Sequence, residues 1–218
     1  IPRKNIKEFC GKPMLAWSIE AAKKTHLFEH IIVSTDDQEI AEVAQQWGAE
    51  VPFIRPAELA DNYAPTRPVV NHAINRATEL YGKPDYVCCL YPAAPFVQAE
   101  GLMDGFKRLI AAEAEFAFTV THFSSAIQRA LKMNADGRLE MFNPELRLTR
   151  SQDLEDAYHD AGQFYWGKTD AFLKDIGCFT TASVPIILPR YLVQDIDTPE
   201  DWRQAELMFL ALNSASNE

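Results

Sequence analysis

Short apolar runs alternate with longer stretches of helical spacing along most of this chain, and that alternation limits the fold more than any other feature. His30-Ile31-Ile32-Val33-Ser34 is rich in β-branched residues without polar alternation, the composition of a strand buried on both faces. Val51–Ile54, Asp85–Tyr91, Phe116–Thr121 and Val184–Leu188 read the same way. Between them, Pro13–Lys24 repeats Met14, Leu15, Ile19 and Ala22 at helical spacing, with Lys23 and Lys24 suiting a last turn. Asp36 and Asp37 stand where an N-cap belongs, and Gly48 closes that second helix. Pro68–Tyr81, Gln98–Ala111 and a last segment from Pro199 to about Leu212 are also helical. Repeated units of this kind predict an α/β fold on a mainly parallel sheet, flanked by helices. From about residue 122 to 160 the rhythm breaks into short alternating pieces around a turn at Asn134–Gly137, which predicts an inserted β-rich arm. The tail Asn213–Glu218 reads as a frayed end.

Charge narrows the partners. The 218 residues carry 31 acidic and 21 basic side chains, a formal net charge of −10, which disfavours nucleic acid and anionic membranes. A small anionic ligand stays compatible, because a few local cations hold one. No apolar run approaches the length of a membrane span. Cys10, Cys88, Cys89 and Cys178 match no zinc spacing and suit reduced thiols in a cytoplasmic protein. The five histidines show no metal-ligand or nucleophilic-triad pattern, and neither dinucleotide, P-loop nor nucleophile-elbow motifs occur.

Three polar constellations remain. Asp195-Ile196-Asp197 follows a strand; in extended chain its two carboxylates face the same way and suit Mg2+, though on spacing alone a cap of the last helix by Asp197 is the favoured reading. Arg3-Lys4-Asn5 is either a phosphate clamp or a solvated loop. The loop from Arg55 to Thr66 leaves the end of a strand, where ligand crevices of open sheets lie, but turn chemistry explains it as well. His159 is the one histidine in a polar, loop-like setting.

The ordered set of Pro2–Ile6 with Gly11-Lys12-Pro13, Ile31–Asp36, Arg55–Ala60, the Pro92–Pro95 turn and Asp195–Asp201 resembles the CMP-sialic acid synthetase family, cytidylyltransferases that activate nonulosonic acids with CTP. The resemblance runs over nearly the whole chain. Tyr91–Phe96, where sialic acid enzymes typically read Q-P-T-S-P-L-R, and Arg150–Trp166, where they usually have R-P-N-G, resemble the branch that uses pseudaminic acid.

The resemblance implies a Rossmann-like nucleotide-diphospho-sugar transferase fold, a single domain over 1–218, and transfer of CMP from CTP to pseudaminic acid for flagellin or surface glycans. It implies Lys4, Asp195 and Asp197 as catalytic, the two aspartates holding Mg2+, and Lys4, Asn5, Arg55, Ala64 and Thr66 on the nucleotide. Tyr91, Gln128, His159 and Gln163 are the candidates for the sugar side. It implies a homodimer in which the arm crosses to a second subunit. Family members also carry a first strand and a basic glycine-rich phosphate loop immediately before the segment that matches Ile1–Asn5, so both are expected upstream of Ile1. Sialic, legionaminic or 3-deoxy-octulosonic acid is the alternative sugar, and a catalytically silent nucleotide-binding dimer the alternative outside enzymes.

Overall fold

The computed structural model describes residues 1–61 and 64–215; Asn62 and Tyr63 of the Arg55–Thr66 loop, and 216–218 of the tail, lie outside them. A hook at the start carries β1 (Glu8–Phe9) and β2 (Lys12–Pro13), followed by α1 (Met14–Thr25) and α2 (Gln38–Gln46). Then come α3 (Thr66–Tyr81), β3 (Tyr86–Leu90), α4 (Ala99–Ala111) and β4 (Phe116–His122). The arm holds β5 (Leu131–Met133) and β6 (Leu139–Met141), and the chain closes with β7 (Tyr158–Lys168), α5 (Thr169–Leu173), β8 (Ser183–Ile187) and α6 (Pro199–Ala215).

Local chemistry accounts for the helix ends. Asp37 caps α2 by accepting the Ile40 amide at 3.0 Å. His26 closes α1 in the left-handed conformation, after Lys23 and Lys24 in the last turn. α6 outruns the predicted end at Leu212, because Asn213 and Ser214 bond back to the Phe209 and Leu210 carbonyls instead of fraying.

The four-stranded sheet has the order β3-β7-β4-β8. β4 and β8 pair in parallel, while β7 runs antiparallel to both of its neighbours. Three of the four strands therefore share a direction, and the fourth lies between two of them, which the alternation of strands and helices does not reveal. The runs at His30–Ser34 and Val51–Ile54 form no strand among the described residues; the bridge beside them is parallel, between Ile32 and Glu50, the residue before the second run. Among the described residues neither joins the four-stranded sheet, so no longer ladder forms.

Two apolar layers cover that sheet. On one side Leu102 and Leu109 of α4 pack with Phe164, Trp166 and Ile186. Gly105 makes this approach possible, since a Cβ there would stand 2.6 Å from Ile186 Cδ1. Another cluster joins Ile74 of α3 with Phe116, Ala171 and Phe172. A third draws the two ends of the chain together through Phe9, Met14, Phe96, Ile196, Trp202 and Ala205. Phe9 and Trp202 meet edge to face at 5.4 Å, and burying such large rings supplies about 2–3 kcal/mol apiece. That third cluster sets the position of the site, because Lys4 precedes Phe9 and the D-x-D flanks Ile196.

Candidate active site

Lys4 sits in a short 3-10 turn whose amides at Ile6 and Lys7 bond the Arg3 carbonyl, each at 3.1 Å. Its ammonium donates to the Ile196 carbonyl at 2.6 Å and to Asp197 Oδ1 at 3.2 Å. The hook and the loop before α6 thus meet in one ion pair. Asp197 does not cap α6: Thr198 and Asp201 form a reciprocal capping box, in which the Thr198 hydroxyl accepts the Asp201 amide and the Asp201 carboxylate accepts the Thr198 amide. The Thr198 hydroxyl and the backbone amides hold the Asp201 carboxyl below its usual range. The cap reading of Asp197 is thereby replaced, and its carboxylate stays 71 % exposed beside Lys4. Asp195 is also exposed.

Two exposed carboxylates of hard oxygen fit Mg2+, which takes one or two protein carboxylates and completes its shell with water and substrate phosphate. Among the described residues no group of three or more His, Cys, Asp or Glu side chains comes together for a metal. An ion held by these two side chains alone would complete its shell with water and substrate oxygens. Arg3, by contrast, is taken up elsewhere. Its guanidinium forks onto Asp37 at 2.9 and 3.0 Å and reaches Glu39 at 2.6 Å, tying the hook to the start of α2.

Of the residues expected on the nucleotide, Arg55 follows the Val51–Ile54 segment and bonds its own amide to the Thr35 carbonyl at 2.9 Å. Its Nη2 reaches Asp36 at 3.1 Å, while its Nε–H is buried without a partner among the described residues. Ser34 Oγ and His72 Nδ1 are orphaned in the same way, and His72 packs edge-on to Phe53, two residues before Arg55. Buried donors without acceptors are costly, and a polar ligand would relieve them. Ala64 precedes α3, and Thr66 begins it with an exposed side chain. Asn5 follows Lys4 in the same 3-10 turn.

The four sugar-side candidates separate. Tyr91 and Thr66 bring their hydroxyls to 3.3 Å, and the Tyr91 ring lies 5.5 Å from that of Tyr165. His159 stays exposed, its Nδ1 2.9 Å from the Asp160 carbonyl and its ring beside Phe123. Gln163 is buried and donates to the Leu192 carbonyl at 2.6 Å, fastening β7 to the loop before the D-x-D. Gln128 lies on the arm, where its amide donates to the Glu155 carbonyl at 2.6 Å. The structure thus brings Tyr91 to Thr66 and Lys4 to Asp197, while Gln128 and Gln163 hold backbone.

Two residues escaped sequence reasoning. Tyr165 is buried and donates to the Asp160 carboxylate. Burial first, and Asp160 second, push its phenol far above the usual range. Five residues apart, the two would face opposite sides of a regular strand. The register of β7 on β4 slips between Phe118 and Val120, and Gly162 inside the bulge takes φ 61°. The Thr119 hydroxyl accepts the Gln163 and Phe164 amides there at 3.4 Å.

A sequence profile described as cytidylyltransferase matches residues 1–189. Two proteins of Campylobacter jejuni, each named pseudaminic acid cytidylyltransferase, are 41 % and 42 % identical to the chain over 209 residues, covering 96 % of it and 90 % of each relative. Among solved structures, that of CMP:2-keto-3-deoxy-manno-octonic acid synthetase complexed with CTP matches with a TM-score of 0.68. It covers 97 % of this chain and 93 % of the other at 12 % identity, a likeness of fold.

Proposed function

The chain belongs to the cytidylyltransferase family, and from that premise we propose that it transfers CMP from CTP to the anomeric hydroxyl of pseudaminic acid. The identity to the two Campylobacter jejuni relatives along nearly the full chain carries this reading. In the reaction the sugar hydroxyl gives up its proton to water as its oxygen forms a bond to the α-phosphorus, the bond to the bridging oxygen breaks in line, and pyrophosphate leaves with that electron pair. The activated sugar serves as a donor for flagellin or surface glycans.

The chain's own groups supply position and charge. Lys4 neutralises phosphate oxygens, held in place by Ile196 and Asp197. Asn5 contacts the nucleotide next to it. The orphaned Nε–H of Arg55, with the Ala64–Thr66 turn, reads the cytosine edge. Asp195 and Asp197 would hold Mg2+, which when bound polarises the α-phosphate. Tyr91 and His159 face the sugar acid.

The arm supports a homodimer. Leu131, Met133, Leu139, Phe142 and Leu148 are all more than half exposed, and a two-stranded hairpin has no core of its own in which to bury them. A second copy gives those side chains a surface to cover. No helix among the described residues is long and apolar enough to cross a membrane. All four cysteines are free thiols, which suits the cytoplasm.

The deciding experiment supplies the purified protein with CTP, Mg2+ and a panel of nonulosonic acids and follows pyrophosphate. Release with pseudaminic acid is expected. Turnover of N-acetylneuraminic acid without turnover of pseudaminic acid would overturn the sugar assignment.

A further inference from the structure

Lys4 is held by two ties that differ in kind. Its ammonium donates to the Ile196 carbonyl at 2.6 Å and to Asp197 Oδ1 at 3.2 Å, so two of its three N–H groups are engaged. Ile196 is 1 % exposed, inside the cluster that joins the two ends of the chain, and packing fixes its carbonyl. The Asp197 side chain is exposed, and the Thr198–Asp201 box relieves it of any part in starting α6. One tie is therefore permanent and the other exchangeable. Among the described residues no group of three or more metal-ligating side chains gathers to outweigh the ammonium.

Charge then decides what the site accepts. A free dication at Asp197 meets a carboxylate already neutralised and an ammonium that repels it. A free polyphosphate meets that ammonium alongside the two exposed carboxylates of Asp195 and Asp197. A cation already joined to a polyphosphate carries both signs, one for the aspartates and one for Lys4. We propose that Lys4, as the resident counter-ion of Asp197, selects this complex over either of its parts. On binding, Lys4 keeps the Ile196 carbonyl and exchanges Asp197 for a phosphate oxygen, which frees the carboxylate for the metal. The selection comes from repulsion of each part alone as much as from attraction of the pair. That the polyphosphate is CTP rests on the function proposed above; the competition between Lys4 and a divalent cation does not.

The test uses Mn2+ alone as the probe, without nucleotide or sugar and at low ionic strength, and reads the paramagnetic resonance of the unbound ion. Lys4→Met keeps an unbranched stem and removes the charge. It is expected to bind Mn2+ at least about fivefold more tightly than the unaltered protein, while Lys4→Arg stays within about twofold of it. Adding Asp197→Asn to Lys4→Met should abolish the gain. No gain in Lys4→Met, or the same gain in Lys4→Arg, overturns the proposal. A second measurement needs no variant of altered charge. With lysine labelled at the ε carbon, the Lys4 signal, assigned through Lys4→Arg, is expected to move with Mg2+ and inorganic tripolyphosphate together. It should stay in place with the same concentration of Mg2+ alone. A shift of equal size with Mg2+ alone, or none with the two together, would show that no exchange takes place. Should no nonulosonic acid be turned over with CTP, the proposed function falls, and the Mn2+ affinities still decide the part of Lys4.

Discussion

Lys4 and Asp197 stand 3.2 Å apart although 193 residues separate them in sequence. Neither is needed to start α6, whose cap is the Thr198–Asp201 pair. Stability and turnover are therefore separable within one short loop. Asp197→Asn should lower the rate of pyrophosphate release by at least about a hundredfold with no change in Tm. Asp201→Ala should lower Tm by roughly 2–4 °C instead. Unimpaired turnover by the Asp197 variant would remove that residue from the chemistry.

Chelation tests the metal in a different way. Because the Asp197 carboxylate is exposed and its tie to Lys4 needs no metal, EDTA is expected to stop pyrophosphate release and leave thermal unfolding unchanged. Excess Mg2+ should restore the rate. Persistent activity in EDTA would leave the aspartates a purely electrostatic task beside Lys4.

Acid stability depends on Arg3. Its guanidinium holds the Asp37 carboxyl down to about 2, with the Ile40 amide adding to the effect. A carboxyl depressed by folding stabilises the protein above its unfolded value of about 3.9, and the contribution disappears as pH falls through the folded one. Arg3→Met should lower Tm at neutral pH. The two Tm curves should converge between about pH 4 and pH 2, and parallel curves down to pH 2 would show that the pair contributes nothing.

The proposed dimer places the arm's exposed side chains at its interface. Met133→Glu with Leu139→Glu should give a monomer in sedimentation velocity, with far-ultraviolet circular dichroism unchanged. A dimer that survives both charges would have its interface elsewhere.

Gly105 tests how closely α4 approaches the sheet. Gly105→Ala puts a methyl group 2.6 Å from Ile186 Cδ1 and 3.0 Å from Phe164 and Trp166. Denaturant unfolding should show a loss of about 1–3 kcal/mol, and a neutral result would mean that Ile186 has another rotamer within reach.

The helices were legible because their information is local. The spacing in Pro13–Lys24, the Asp37 cap and the Pro199 start each specify a segment without reference to the rest of the chain. The orientation of β7 was not, since Phe164-Tyr165-Trp166 reads the same in either direction and only pairing to β3 and β4 decides. In the site, Lys4, Arg55 and the D-x-D were visible as residue types. That Thr198 and Asp201 would free Asp197 was also present in the sequence, as a Thr-x-x-Asp spacing before a helix. Gln163 shows the limit from the other direction. Its amide faces a carbonyl 29 residues away, a backbone tie that residue type and spacing do not announce. The Asp160–Tyr165 contact depends on a register slip, which no periodicity announces.

The place of β7 between β3 and β4 also orders assembly. β3 and β4 share no ladder, so before residues 158–168 arrive the sheet exists as separate pieces with unsatisfied edges. During synthesis β3, β4 and the whole arm emerge first, and the strand that joins them comes later. Closure then depends on long-range pairing, which is slow and leaves sticky edges open while it waits. For this protein, yield in a heterologous host should be governed by how long β3 and β4 wait for their shared neighbour, more than by the stability of the finished fold.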